Sequence, residues 1–170
     1  MLDLKKLKIL LLLLFINRYT AQEISPIEIP LSGEASERNL EMSGLSWYKD
    51  NLILMPQYVN ELNPAFYYLT RASINNWLNG DQSQPLTPQK IDIVMPDYDD
   101  LINGYQGFEA ICFSGSNAYL IMESKFNDKM KSFIVKGKID MKNKTLDIGK
   151  DGFYEIPLPV NMKNMGYESI

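Results

Sequence analysis

Ser43-Gly44-Leu45-Ser46-Trp47, followed by Asn51-Leu52-Ile53-Leu54, returns in altered form as Glu109-Ala110-Ile111-Cys112-Phe113 followed by Asn117-Ala118-Tyr119-Leu120. Aligned without gaps, Trp47 meets Phe113 and Asn51 meets Asn117, a spacing of 66 residues. A third copy opens 59 residues further on with Glu168-Ser169-Ile170. Each copy follows an apolar segment containing proline: Ile29-Pro30-Leu31, Met95-Pro96 and Ile156-Pro157-Leu158. Self-similarity at a nearly fixed period marks a repeat architecture, in which each unit buries its apolar faces against its neighbours.

Within a copy the pattern is strand after strand. Leu45–Tyr48 and Leu52–Gln57 flank Lys49-Asp50-Asn51 and predict a hairpin. Leu52-Ile53-Leu54-Met55 is apolar on both faces, as a strand covered from two sides must be. Phe66–Ile74 predicts a third strand and Ile91–Met95, alternating with Asp92, a half-solvated fourth. In the second copy, Ala110–Phe113 and Ala118–Glu123 flank the turn at Ser114–Asn117. Ser132–Met141 puts Phe133, Val135, Ile139 and Met141 on one face, and Gly152–Leu158 follows a turn over Gly149–Gly152. No 12-residue window after position 22 shows an apolar stripe of helical period, and Asn75–Gln89 reads as one long polar connection holding Trp77.

Four antiparallel strands per unit of about 60 residues is the pattern of a β-propeller blade. The expected fold class is therefore all-β, a propeller with about two four-stranded blades in this chain. The alternative is a β-sandwich, which shows short strands without the echo. A ring needs at least four blades, so the chain reads as the N-terminal part of a larger one. Ile27–Leu31 looks like the outer strand that completes a last blade and closes the ring.

Composition narrows the chemistry. The 170 residues hold one Cys and no His. This portion therefore supplies no Ser-His-Asp arrangement, no imidazole base, no internal disulfide and no Cys-rich metal site. A formal charge of -4 gives no basic face for nucleic acid. Lys5, Lys6 and Lys8 precede the apolar run Ile9–Ile16, and a polar stretch ends at Ala21. That is the layout of a signal peptide over residues 1–21, too short in its apolar part to span a bilayer. Its removal leaves 13 Lys+Arg against 20 Asp+Glu, a net charge of -7. The mature chain is expected to be secreted or periplasmic, with no stable membrane span after cleavage.

The phrases Met42-Ser43-Gly44-Leu45-Ser46-Trp47, Gln106-Gly107-Phe108-Glu109-Ala110-Ile111, Tyr119-Leu120-Ile121-Met122-Glu123-Ser124 and Asn164-Met165-Gly166-Tyr167-Glu168-Ser169-Ile170 resemble the phytase-like, or "esterase-like activity of phytase", family of exported bacterial β-propellers. The likeness covers about residues 40–170, with 22–170 as the incomplete propeller domain. It implies a six-bladed ring and a Ca²⁺-dependent hydrolase of phosphoesters or esters, acting on an anionic small molecule. The same propeller without catalysis would bind a ligand or an extracytoplasmic protein, and a degenerate copy would do neither.

No catalytic set matches position by position, so the candidate residues are carboxylates. Glu109 and Glu168 hold one repeat position, just before the innermost strand, where Ser43 stands in the first copy. Carboxylates repeated around an axis converge, and an oxygen-only cluster suits Ca²⁺. The structural alternative is that each Glu accepts hydrogen bonds from the neighbouring blade and fixes the angle between them. Glu123 ends a doubly apolar strand and needs a partner there, a metal or Lys125. Asp97, Asp99 and Asp100 surround Tyr98 in a loop that is either a loose Ca²⁺ site or a solvated acidic turn. Lys125, Lys129 and Lys131 would face an anionic substrate or simply solvent.

Overall fold

The computed structural model describes residues 25–59 and 62–157. The signal-peptide expectation for residues 1–21 and the third copy with Glu168 lie outside them. Two antiparallel meanders make up the molecule. The first is β1 (Met42–Tyr48), β2 (Asn51–Pro56), β3 (Ala65–Thr70) and β4 (Gln89–Val94). The second is β5 (Tyr105–Ser114), β6 (Asn117–Phe126), β7 (Lys129–Asp140) and β8 (Thr145–Ile156). The β6–β7 hairpin turns on Asn127 and Asp128, both in the left-handed region that a tight hairpin demands and that Asn and Asp tolerate.

The meanders join in one eight-stranded sheet of order β1-β2-β3-β4-β8-β7-β6-β5. β4 and β8 pair in parallel from Asp92↔Thr145 to Val94↔Asp147. The free edges, β1 and β5, meet on the other side, where Ser43 Oγ donates to the Phe108 carbonyl at 2.6 Å. The Phe108 N–H in turn donates to the Gln57 carbonyl at 3.0 Å. The result is an all-β, nearly closed, barrel-like sheet.

The interior is lined by one face of each meander. Tyr48, Ile53, Met55, Phe66 and Tyr68 from the first meet Ile111, Ala118, Leu120, Phe133 and Val135 from the second. The 66-residue alignment gives this contact a definite sense. Leu54, Tyr67 and Leu69 point away from the second meander, into a separate cluster with Ala35, Leu40 and Ile74. Leu120 and its cross-strand partner Val135, which correspond to Leu54 and its partner Tyr67, point toward the first. Conversely Ile53, Met55, Phe66 and Tyr68 face inward, while strand alternation turns their equivalents Tyr119, Ile121, Ile134 and Lys136 to the other side. Equivalent residues thus lie on opposite sides of the contact. The units stack front to back, in the same sense, rather than face to face about a two-fold axis.

Three sequence expectations change. The third strand stops at Thr70, not Ile74, because Thr70 caps helix α1 (Arg71–Asn79), its side chain accepting from the Ser73 N–H at 3.0 Å. The polar connection read over Asn75–Gln89 therefore opens with the last residues of this helix, which buried Ile74 and Trp77 anchor. The expected turn at Gly149–Gly152 is a bulge inside β8. Val135 pairs with Phe153 and Gly137 with Ile148, so the extra residues lie opposite Lys136. Asp97–Asp100 is not an open loop, since Tyr98–Leu101 forms a single helical turn, α2.

Ile27–Leu31, expected as the outer strand of a last blade, runs along the first meander. Leu31 bridges to Leu86, with the Leu86 N–H donating to the Pro30 carbonyl at 2.8 Å. Ile29 and Leu31 help cover the outer face of the first meander. Among the described residues no helix is long and apolar enough to cross a membrane.

Candidate functional site

Glu109 lies half-buried on β5, facing the seam between the two meanders. Gln57 Nε2 donates to Glu109 Oε1 at 2.7 Å and to the Gln106 carbonyl at 3.1 Å. Gly107, at φ 100°, keeps this seam narrow, because a Cβ there would strike the Gln57 carbonyl. Ser43, the repeat equivalent of Glu109, bonds the same seam from the other side through the Phe108 carbonyl. The repeated position therefore bonds across the seam in both copies, with the Gln57 amide donating to Glu109 and the Ser43 hydroxyl donating to the Phe108 carbonyl.

The other acidic residues are placed apart from this seam or against the backbone. Asp97 Oδ1 accepts from the N–H groups of Asp99 at 3.0 Å and Asp100 at 3.4 Å and so caps α2. Asp99 and Asp100 are exposed on the helical turn itself. Glu123, on β6, is buried and accepts from Ser132 Oγ at 3.4 Å. Lys131 pairs with Glu155 at 2.8 Å on the surface. Among the described residues, no three His, Cys, Asp or Glu side chains come together as a metal site. Of the carboxylates expected to hold calcium, Glu109, Glu123, Asp97 and Asp99 are not gathered into one such group, and Glu168 lies outside the described residues.

A cavity of about 430 Å³ opens beside α2, where β2 and β4 end and β3 and β5 begin. Tyr58, Tyr98 and Tyr105 give it aromatic walls. Val59, Pro64, Met95 and Pro96 add apolar surface. Its charged lining residues are Asp97 and Asp99, with no Lys or Arg among the described residues.

The tyrosines are held by stacking. Tyr98 and Tyr105 lie 5.7 Å apart between ring centroids, and both meet Phe108 edge to face. Tyr98 is 1% exposed, and neither its hydroxyl nor that of Tyr105 has a hydrogen-bond partner among the described residues. Gly149, at φ 76°, crosses the Tyr98 hydroxyl so closely that a Cβ would overlap it. Burial pushes both phenols above the usual tyrosine range. For Tyr105 the nearby Tyr98, Asp99 and Glu109 raise it further. Tyr58 is raised by burial first, then by Glu41 and Glu109.

Sequence reasoning named Tyr98 only as a neighbour of acids and missed the cavity. The available signal was a tyrosine in or beside each of two proline-bearing connections. Compared with protein-family models, curated proteins and solved structures, the chain matches none.

Proposed function

We propose that residues 22–170 are the N-terminal part of an exported β-propeller of the phytase-like kind. In this portion the protein acts as a binding module, with the tyrosine-lined cavity as its site. The observation that carries the functional reading is that cavity, of about 430 Å³, lined by apolar and tyrosine side chains with two carboxylates. Size and lining are those of a small-molecule site. The front-to-back stacking of the meanders supports the propeller, because successive blades around an axis cover one another in that sense. The basic and apolar segments before Ala21 support export.

The resemblance also implies calcium-dependent hydrolysis. Two of the carboxylates it would draw on also bond within the fold: Asp97 caps α2, and Glu109 bonds across the seam. No reaction step is therefore assigned to them.

The test begins with the full-length protein expressed with its own leader. Fractionation should place it outside the cytoplasm with Gln22 at its N-terminus. A panel of phosphoesters and carboxylic esters should give no turnover, with calcium or with chelator. Calcium-dependent phosphate release that chelation abolishes would restore the hydrolase reading and remove this one.

A further inference from the structure

We propose that the cavity beside α2 takes an organic cation, an ammonium group on an apolar body, seated against Tyr58, Tyr98 and Tyr105 with Asp99 at the rim. The inference rests on reading this cavity as a binding site and adds the charge and class of its ligand.

Three features select that class. An aromatic face presents the negative side of its quadrupole, and three tyrosines share this one cavity. The charged residues in its lining are carboxylates, Asp97 and Asp99, and the charges acting on its tyrosines come from Glu41, Asp99 and Glu109. The rest of the lining, Val59, Pro64, Met95 and Pro96, is apolar and suits the ligand's apolar body. An anion entering the same space would meet like charge with no Lys or Arg among the described lining residues to offset it. A neutral apolar ligand would fill the volume but gain nothing from the carboxylates. A methylated ammonium gains from both, since its weak hydration makes it easy to transfer onto aromatic faces.

The test is calorimetric titration of the full chain with choline, with its neutral isostere 3,3-dimethylbutan-1-ol, and with inorganic phosphate. Choline should bind saturably at one site, the isostere about tenfold more weakly, as a cation–π and carboxylate contribution of roughly 1.4 kcal/mol requires. Phosphate should give no heat. Tyr58→Leu, at a residue 45% exposed, should weaken choline about fivefold, an effect of roughly 1 kcal/mol. Asp99→Asn, also on the surface, should weaken it about threefold and flatten its dependence on salt. Unchanged melting temperatures will confirm that both variants fold. Equal binding of choline and isostere would overturn the cationic class. So would preferential binding of phosphate, which would leave the cavity as a binding site of the opposite charge. Absence of binding by every compound would remove the binding reading as well.

Discussion

Tyr98 sits at the centre of the account as a single residue. Its ring is packed by Tyr105, Phe108 and Phe153, while its hydroxyl is buried without a partner among the described residues. A buried unpartnered hydroxyl costs stability, so Tyr98→Phe should leave the melting temperature unchanged or raise it by about 2–4 °C. A fall of similar size in a thermal melt would show that the hydroxyl has a partner after all. Gly149→Ala should do the opposite. Its left-handed backbone and the overlap with the Tyr98 hydroxyl together should cost about 3 kcal/mol in denaturant unfolding.

The tyrosines also set a pH limit. Tyr67 is pushed up to about 12, mainly by burial and then by Glu34. A phenol whose folded value lies above its unfolded value keeps its proton longer in the native state. It contributes no pH dependence below pH 10. As pH climbs from about 10 towards 12, the unfolded chain loses the proton first and stability falls by about 1.4 kcal/mol per unit. Tyr98 and Tyr105 act in the same direction. Urea midpoints should therefore be flat from pH 8 to 10 and drop above it. None of this was legible in the sequence, because an exposed and a buried tyrosine look alike in one chain. Only the fold brings positions 98, 105 and 149 together.

Elements were legible where their period was clean. The β1–β2 and β5–β6 hairpins fall where the two apolar runs and their polar turns place them, because alternation against a buried face specifies register. Helix α1 was not, since nine residues with only Ile74 and Trp77 buried make too narrow a stripe to stand out. The useful local signal was Thr70, whose capping bond outweighs the strand pattern that would have run on to Ile74. Thr70→Ala should cost about 1 kcal/mol and speed hydrogen exchange at Ser73. The bulge in β8 was read as a turn because two glycines three residues apart mark either one. The pairing of its flanks with β7 decides between them. At the seam, Gln57→Ala removes the amide that bridges Gln106 and Glu109. It should cost about 1–2 kcal/mol, and a double-mutant cycle with Glu109→Gln should return a coupling above 0.5 kcal/mol.

At the scale of the molecule the repeat was readable, and its sense of stacking was not. Aligning Leu45 with Ile111 says that both begin an inner strand. It cannot say that Ile111 is 5% exposed in the shared core while Leu45 is 66% exposed on the far face. That difference follows from front-to-back stacking, and it makes equivalent positions unequal. Ile111→Ala should cost about 2–5 kcal/mol, whereas Leu45→Ala should stay within about 0.5 kcal/mol. Similar losses at both would mean that another unit covers the far face of the first meander. The candidate site was illegible for a related reason. Its wall is drawn from the β2–β3 connection, the β4–β5 connection and the first residue of β5, three places that no single motif links. Of the carboxylates that the sequence made prominent, Asp97 is at a helix cap and Glu109 at the inter-unit seam.

The most direct measurement is amide hydrogen exchange of the full chain with and without saturating choline. The account predicts added protection confined to Gln57–Val59, Met95–Leu101 and Tyr105–Phe108, the segments that wall the cavity and support its tyrosines. Protection that is absent there, or that appears instead around Trp47 and Phe113 at the opposite end of the hairpins, would contradict it.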